Sequence, residues 1–214
     1  SGWKLEVTAK TGHSSGVFTP YAGYGAIYEA ARIVNSFREQ LSQEKYLTFN
    51  PGLFIGGSDM QYDDAKSFGS TIGKTNIIAP STVVIGDLRF LTEEQKNKAR
   101  AVMSNIVNNN NLTGARAKIT FQDGIPSMAP TEGNDRILNI ISGVTVDMGL
   151  GATVAGDPGS RGAGDISYIA AYVDCIDGLG ASGKGAHAVG ETINLNELPF
   201  LIKRAALTLH RLTK

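Results

Sequence analysis

Thr82-Val83-Val84-Ile85-Gly86-Asp87-Leu88-Arg89-Phe90-Leu91-Thr92-Glu93-Glu94-Gln95 changes its period part-way along. Up to Phe90 it alternates: Val84, Leu88 and Phe90 are set against Ile85, Asp87 and Arg89, the period of a strand. At Thr92-Glu93-Glu94-Gln95 a capping box begins. The threonine hydroxyl can take the N3 amide while Gln95 reaches back. The helix that follows carries Ala99, Val102, Met103, Ile106 and Val107 on one stripe, and the asparagines from Asn108 to Asn111 end it. Residues 115–122 alternate again, with Ala117, Ile119 and Phe121 on one side.

Working back from that switch, residues 74–79 read as a further strand and residues 56–68 as a polar, turn-rich connection. Residues 46–55 read as a strand that Asn50-Pro51-Gly52 kinks or places at an edge. Residues 24–41 have helical period, with Ile27, Ala31, Val34 and Leu41 as the inward stripe. Trp3, Leu5, Val7 and Ala9 define one face of a half-buried strand at the start. The order is β-α-β-β-α-β, the ferredoxin-like split unit, with two helices on one face of a sheet.

Residues 123–130, rich in glycine and proline, separate this unit from a different pattern. Residues 131–146 read as a helix with Ile137, Leu138 and Ile141 inward, stopped by Gly149-Leu150-Gly151. Residues 152–155 read as a short strand, 165–172 as a helix and 173–179 as an apolar strand. Asn196 is expected to cap a last helix striped by Leu198, Leu201, Ile202, Ala205, Leu209 and Leu212. The fold class expected is therefore α+β followed by α/β: a ferredoxin-like domain over residues 1–122 and an incomplete αβ segment over 123–214. Two short strands are too few for a sheet covered on both faces.

Lysine plus arginine and aspartate plus glutamate each number 20 in the 214 residues. That balance gives no reason to expect nucleic acid or an anionic membrane as partner. No apolar run is long enough to span a bilayer. The single cysteine, Cys175, excludes an internal disulfide, and its apolar neighbours point to packing. The chain lacks a start methionine, and Ser1-Gly2 reads as a junction or processing scar, so a longer parent chain is expected.

Three histidines are present. His210 sits beside Arg211 in the last helix and suits a helix C-terminus. His13, flanked by Gly12, Ser14 and Ser15, reads equally as a loop residue or as a ligand; so does His187 in Gly185-Ala186-His187-Ala188. Neither has a histidine at i+4, and taken alone the sequence shows no metal site. Arg161-Gly162-Ala163-Gly164-Asp165 is either an ordinary glycine-rich connector or a turn that offers amides to an anion, with Arg161 as a carboxylate clamp. Asn76 and Arg89 lie on successive strand candidates, and Arg89 shares a face with Asp87, which makes an intrastrand ion pair the plain reading.

Five motifs stand together in order: Gly12-His13-Ser14-Ser15-Gly16, Thr75-Asn76-Ile77-Ile78-Ala79, Gly86-Asp87-Leu88-Arg89-Phe90, Arg161-Gly162-Ala163-Gly164-Asp165 and Gly185-Ala186-His187. In this the chain resembles the C-terminal two-thirds of an M20 family zinc metallopeptidase of the glutamate carboxypeptidase type. The resemblance implies that residues 1–122 are the lid, or dimerisation, domain and that 123–214 belong to the catalytic domain, whose N-terminal part precedes the lid. It implies that His187 is a zinc ligand and that His13 reaches into a partner subunit's site to stabilise the oxyanion. Asn76 and Arg89 would hold the substrate's carboxylate or reacting carbonyl, with Arg161, Gly162 and Gly164 on a substrate-facing loop.

The expected enzyme cleaves off a C-terminal residue of the glutamate kind with a zinc-activated water, using two zinc ions, and is a homodimer through the lid. Its substrate is a peptide or an N-acyl amino acid. The family's other zinc ligands and its general base are not found here, so this polypeptide alone is expected to lack activity and to retain no zinc. A non-catalytic dimerisation module and an N-acyl amino acid amidohydrolase are the alternatives.

Overall fold

The computed structural model describes the whole chain except Arg161, Ala163 and His187. It separates into two compact units, Ser1–Ser127 and Met128–Lys214.

The first unit is built on a four-stranded antiparallel sheet. Its strands are β1 (Gly2–Ala9), β2 (Thr48–Gly57), β5 (Ser81–Arg89) and β6 (Ala115–Gln122), in the order β2-β5-β1-β6. Helices α1 (Gly25–Leu41) and α2 (Glu93–Asn108) cover one face. With β3 (Asp59–Asp63) and β4 (Phe68–Ile72) set aside, this is the ferredoxin-like order. Trp3, Leu5 and Val7 of β1 are buried, opposite Gly86, Val84 and Thr82 of β5, and they share a core with Ile33 and Phe37 of α1 and Met103 of α2. The Trp3 and Phe37 rings pack edge to face at 5.7 Å. β2 lies at an edge, and its register shifts between Pro51 and Leu53, where proline cannot donate to the ladder.

The α2 start has the predicted Thr92 cap, with Gln95 reaching back one residue beyond the cap. Thr92 Oγ1 accepts from Gln95 N at 3.0 Å, and Gln95 Oε1 accepts from Leu91 N at 2.9 Å. Its side-chain amide also donates to Lys45 O, which ties α2 to the connection before β2.

Three local expectations in this unit are corrected. The buried stripe of α1 runs through Ala26, Glu29, Ala30, Ile33 and Phe37, and Ile27 and Ala31 face outward. The stripe passes through a carboxylate, which hydrophobic periodicity alone skips. Residues 74–79 form no strand: Ile77 N turns back to Lys74 O, and a single bridge joins His13 and Ile77. The segment pairs with the loop after β1, outside the sheet. The turn-rich stretch instead contains a hairpin, with β3 antiparallel to β4. Its polar strands hide the period, and the Lys4–Asp64 ion pair at 2.9 Å holds its tip to the sheet.

The second unit has two long helices, α3 (Glu132–Asp147) and α4 (Leu198–Leu212), which pack on each other. Thr131 Oγ1 caps α3 by accepting from Asn134 N at 3.1 Å, and Gly149 and Gly151, both at positive φ, follow its end. Residues 152–155 and 173–179 are not strands, since no neighbouring strand among the described residues is there to take their backbone groups; Val154 and Val173 are exposed. The helix expected over 165–172 is only a 3-10 turn, Asp165–Tyr168, because so short a segment does not repay helix nucleation. The strands found are β7 (Gly183–Lys184) and β8 (Thr192–Ile193), a two-residue pairing. Asn194, not Asn196, supplies the cap near α4: it accepts from Asn196 N at 3.2 Å and closes a 3-10 turn, Leu195–Glu197, ahead of the helix.

Candidate functional site

His13 and Asn76 are brought together. The loop after β1 runs beside residues 76–78, with Ser14 N bonded to Asn76 O and Ile78 N to Gly12 O, both at 2.9 Å. Thr11 Oγ1 adds a bond to Ile78 O. Gly16 N closes back on His13 O at 3.0 Å, so the histidine opens a tight 3-10 turn, Ser14–Gly16. Both side chains are exposed. His13 Nδ1 lies 2.8 Å from Ser15 Oγ and accepts from Ser15 N at 3.2 Å. The motif Gly12-His13-Ser14-Ser15-Gly16 pointed to the histidine; it did not single out Ser15, whose amide orients the ring.

Arg89 lies elsewhere. It ends β5 opposite Thr48, whereas the His13–Asn76 pair stands beyond the other end, where Ala9 N bonds to Pro80 O just before Ser81. Ser81 and Arg89 stand eight residue steps apart on the strand, about 26 Å at the usual rise. Arg89 Nε bonds Asp87 Oδ2 at 2.9 Å. Its two terminal nitrogens have no hydrogen-bond partner among the described residues, so the fork that grips a carboxylate is free. Gly86 in the same motif has a structural task. A Cβ there would lie 2.2 Å from Trp3 Cζ2.

In the second unit, Arg161 and His187 lie outside the described residues. Gly162 is exposed with open space around its Cα, and Gly164 precedes the 3-10 turn. A Cβ on Gly164 would lie 2.7 Å from Asp177 Oδ2, so the anion next to this turn is the chain's own carboxylate. β7 and β8 pair with each other, and Gly185 after β7 has positive φ. Ser182 donates through N and Oγ to Glu197, and Asn194 adds a third bond. The backbone bond from Ser182 is the main reason that the Glu197 carboxyl is held below its ordinary value. Cys175 is buried, and its thiol donates to Val173 O.

No group of three or more His, Cys, Asp and Glu side chains converges among the described residues, so those residues do not form a metal cage. No helix among them is long and apolar enough to cross a membrane.

Residues 1–115 match the peptidase dimerisation domain of the M20 family. The chain belongs to that family. Solved structures agree in fold. Aminopeptidase PepT from Bacillus cereus is 18% identical, with a TM-score of 0.71 over 100% of this chain and 52% of its own. A tripeptidase from Staphylococcus aureus is 20% identical, with a TM-score of 0.64 over 97% of this chain and 50% of its own. The Bacillus subtilis YxeP protein, described as a dinuclear metal-binding peptidase of the M20 family, is 15% identical, with a TM-score of 0.62 over 97% of this chain and 48% of its own. The M20 chain thus spans about half the length of these structures. No curated protein matches it.

Proposed function

We propose that residues 1–122 act as the lid and dimerisation domain, and residues 123–214 as part of the catalytic domain, of an M20 hydrolase that cleaves an amide bond next to a C-terminal carboxylate. The substrate is a peptide or an N-acyl amino acid, and a residue of the glutamate type at the C-terminus suits the Arg89 fork. Bound zinc, two ions in the intact enzyme, would supply the activated water, with His187 as the one ligand from this chain. The described residues form no cage of their own, and the work of this chain's side chains is to bind and orient the substrate. His13 and Asn76 donate hydrogen bonds to the carbonyl oxygen as it becomes an oxyanion. Arg89 holds the substrate's carboxylate. Arg161, Gly162 and Gly164 are read as further substrate-binding residues of the second unit.

The observation that carries this reading is the placement of His13–Asn76 and Arg89 at opposite ends of one sheet. About 26 Å is too far for both to touch one small substrate within a protomer, which supports a site that draws them from two protomers. A homodimer supplies them. Its seam is α1 with β2: Phe18, Ile27, Tyr28 and Phe54 are exposed there, and Ile27 lies against β2 near Gly56. Among the described residues, no large apolar side chain of α2 or β6 is exposed, and β6 carries Arg116 and Lys118, which blunt that edge.

Complementation in the full-length enzyme tests the arrangement. His13→Ala and Arg89→Ala are each expected to lower hydrolysis of a panel of dipeptides, tripeptides and N-acyl amino acids by about 100-fold or more. Unfolding and refolding the two inactive variants together should restore activity, because each mixed dimer holds one site with both residues intact. If both singles are inactive and the mixture stays inactive, the residues act within one protomer and the two-protomer reading fails.

A further inference from the structure

We propose that Ser15 is a positioning residue that holds His13 in the tautomer with its proton on Nε2. The inference rests on the oxyanion reading of His13 and specifies the atom that acts. A backbone amide can only donate, and Ser15 N points at His13 Nδ1 at 3.2 Å. Nδ1 must therefore present its lone pair. A neutral imidazole has one proton, and that proton is left to Nε2. The Ser15 hydroxyl, 2.8 Å from the same nitrogen, then donates to it as well.

The turn makes the arrangement local and rigid. His13 has extended backbone, φ −70° and ψ 140°, and caps the Ser14–Gly16 turn with its own ring. Val17 N bonds Ser14 O at 3.1 Å, and Ser14 N is anchored on Asn76 O. The ring nitrogen near the backbone is thus occupied, and the far one is left as the donor of an exposed side chain. In that state Nε2 has no lone pair for a proton or a metal ion. It can only give a hydrogen bond, which is what a carbonyl oxygen gaining negative charge requires. Asn76, exposed beside it, offers a second neutral donor through its side-chain amide. The pair thus offers two neutral hydrogen-bond donors side by side.

The test is long-range 1H–15N NMR of the chain labelled at its histidines, at a pH where the imidazoles are neutral. The His13 signals are assigned by their loss in His13→Gln. The expected result is an Nε2–H form favoured at least about tenfold over Nδ1–H, with the preference reduced in Ser15→Ala and falling in urea to that of an unconstrained histidine side chain. A dominant Nδ1–H form, or the same ratio folded and unfolded, overturns the proposal. This readout needs no catalysis. If His13→Ala leaves hydrolysis by the intact enzyme unchanged, the oxyanion role is lost while the tautomer result stands. If both hold, Ser15→Ala in the intact enzyme should lower kcat more than it changes KM.

Discussion

Glu29 is the residue that hydrophobic periodicity leaves out of the buried stripe of α1, and its burial has a measurable consequence. It is fully buried, yet its carboxylate accepts Arg32 Nε at 2.9 Å, Arg32 Nη2 at 2.7 Å and Leu112 N at 3.0 Å. The last bond fastens the loop before β6 onto α1. Removing the carboxylate leaves the partly buried Leu112 amide and Arg32 without their partner and opens a cavity, so Glu29→Ala is expected to destabilise the first unit by about 3 kcal/mol in urea titration. Gly86 makes the complementary case. The Trp3 indole occupies the space that a Cβ would need, and Trp3 Nε1 donates to Asp87 O at 2.9 Å. Gly86→Ala should cost about 2 kcal/mol by displacing that ring. Gly73→Ala, where nothing lies within 4 Å of the added carbon, should stay within about 0.5 kcal/mol. Thermal unfolding of the two variants side by side separates a packing requirement from a general glycine effect.

At the scale of elements, α2 is tied to the segment after β6 by charge. Arg100 Nη2 bonds Asp123 Oδ1 at 2.6 Å, and Lys96 pairs with Glu93 and with Asp123. The Arg100 hydrogen bond, then its charge, holds the Asp123 carboxyl below its ordinary value. Burial pushes Glu93 up, but bonds from Lys96 and Ser127 outweigh it and bring that group down as well. Both folded-state values are depressed, so the unfolded chain binds more protons in the acid range. Their contribution is complete above the usual carboxylate pKa of about 4 and is lost as pH falls through the lower folded values. The urea midpoint of the first unit should therefore decline from about pH 5 to about pH 3, and Asp123→Asn should flatten that slope. What is legible in the sequence follows the same division. Elements with a strong period and a real partner, β1, β5, α2 and β6, are readable because pattern and packing agree. The β3–β4 hairpin is not, since its strands lie on the sheet through an ion pair and a tyrosine ring over Lys4 rather than through an apolar face. The proposed site residues are readable as motifs, but the placement of His13 and Arg89 at opposite ends of β5 is not, because spacing along a chain does not give direction across a sheet.

At the scale of the whole molecule, the two units differ in how much core they own. Trp3, Leu5, Ile33, Phe37, Leu88 and Met103 are all nearly or fully buried in the first unit, along with many smaller side chains. In the second, Ile141, Val144 and Cys175 are the buried apolar residues among those described. Its last helix forms, but of the stripe that the sequence predicts only Leu198 and Leu201 are partly buried, while Ile202 is 68% and Leu209 63% exposed. A fully buried side chain of this size contributes about 2 kcal/mol through removal from water. A unit with so few of them has little to set against the entropy of ordering its chain. The described residues between α3 and β7 form no strand of a ladder. The units should therefore unfold separately, the second first. Native-state hydrogen exchange is the measurement. Amides of β1, β5 and α1 should exchange only through global opening of the first unit, while those of α3 and α4 exchange much faster and at lower urea. Equal protection in α4 and β1 would mean that the exposed stripe is covered in solution, and that the second unit draws its stability from what covers it rather than from its own core.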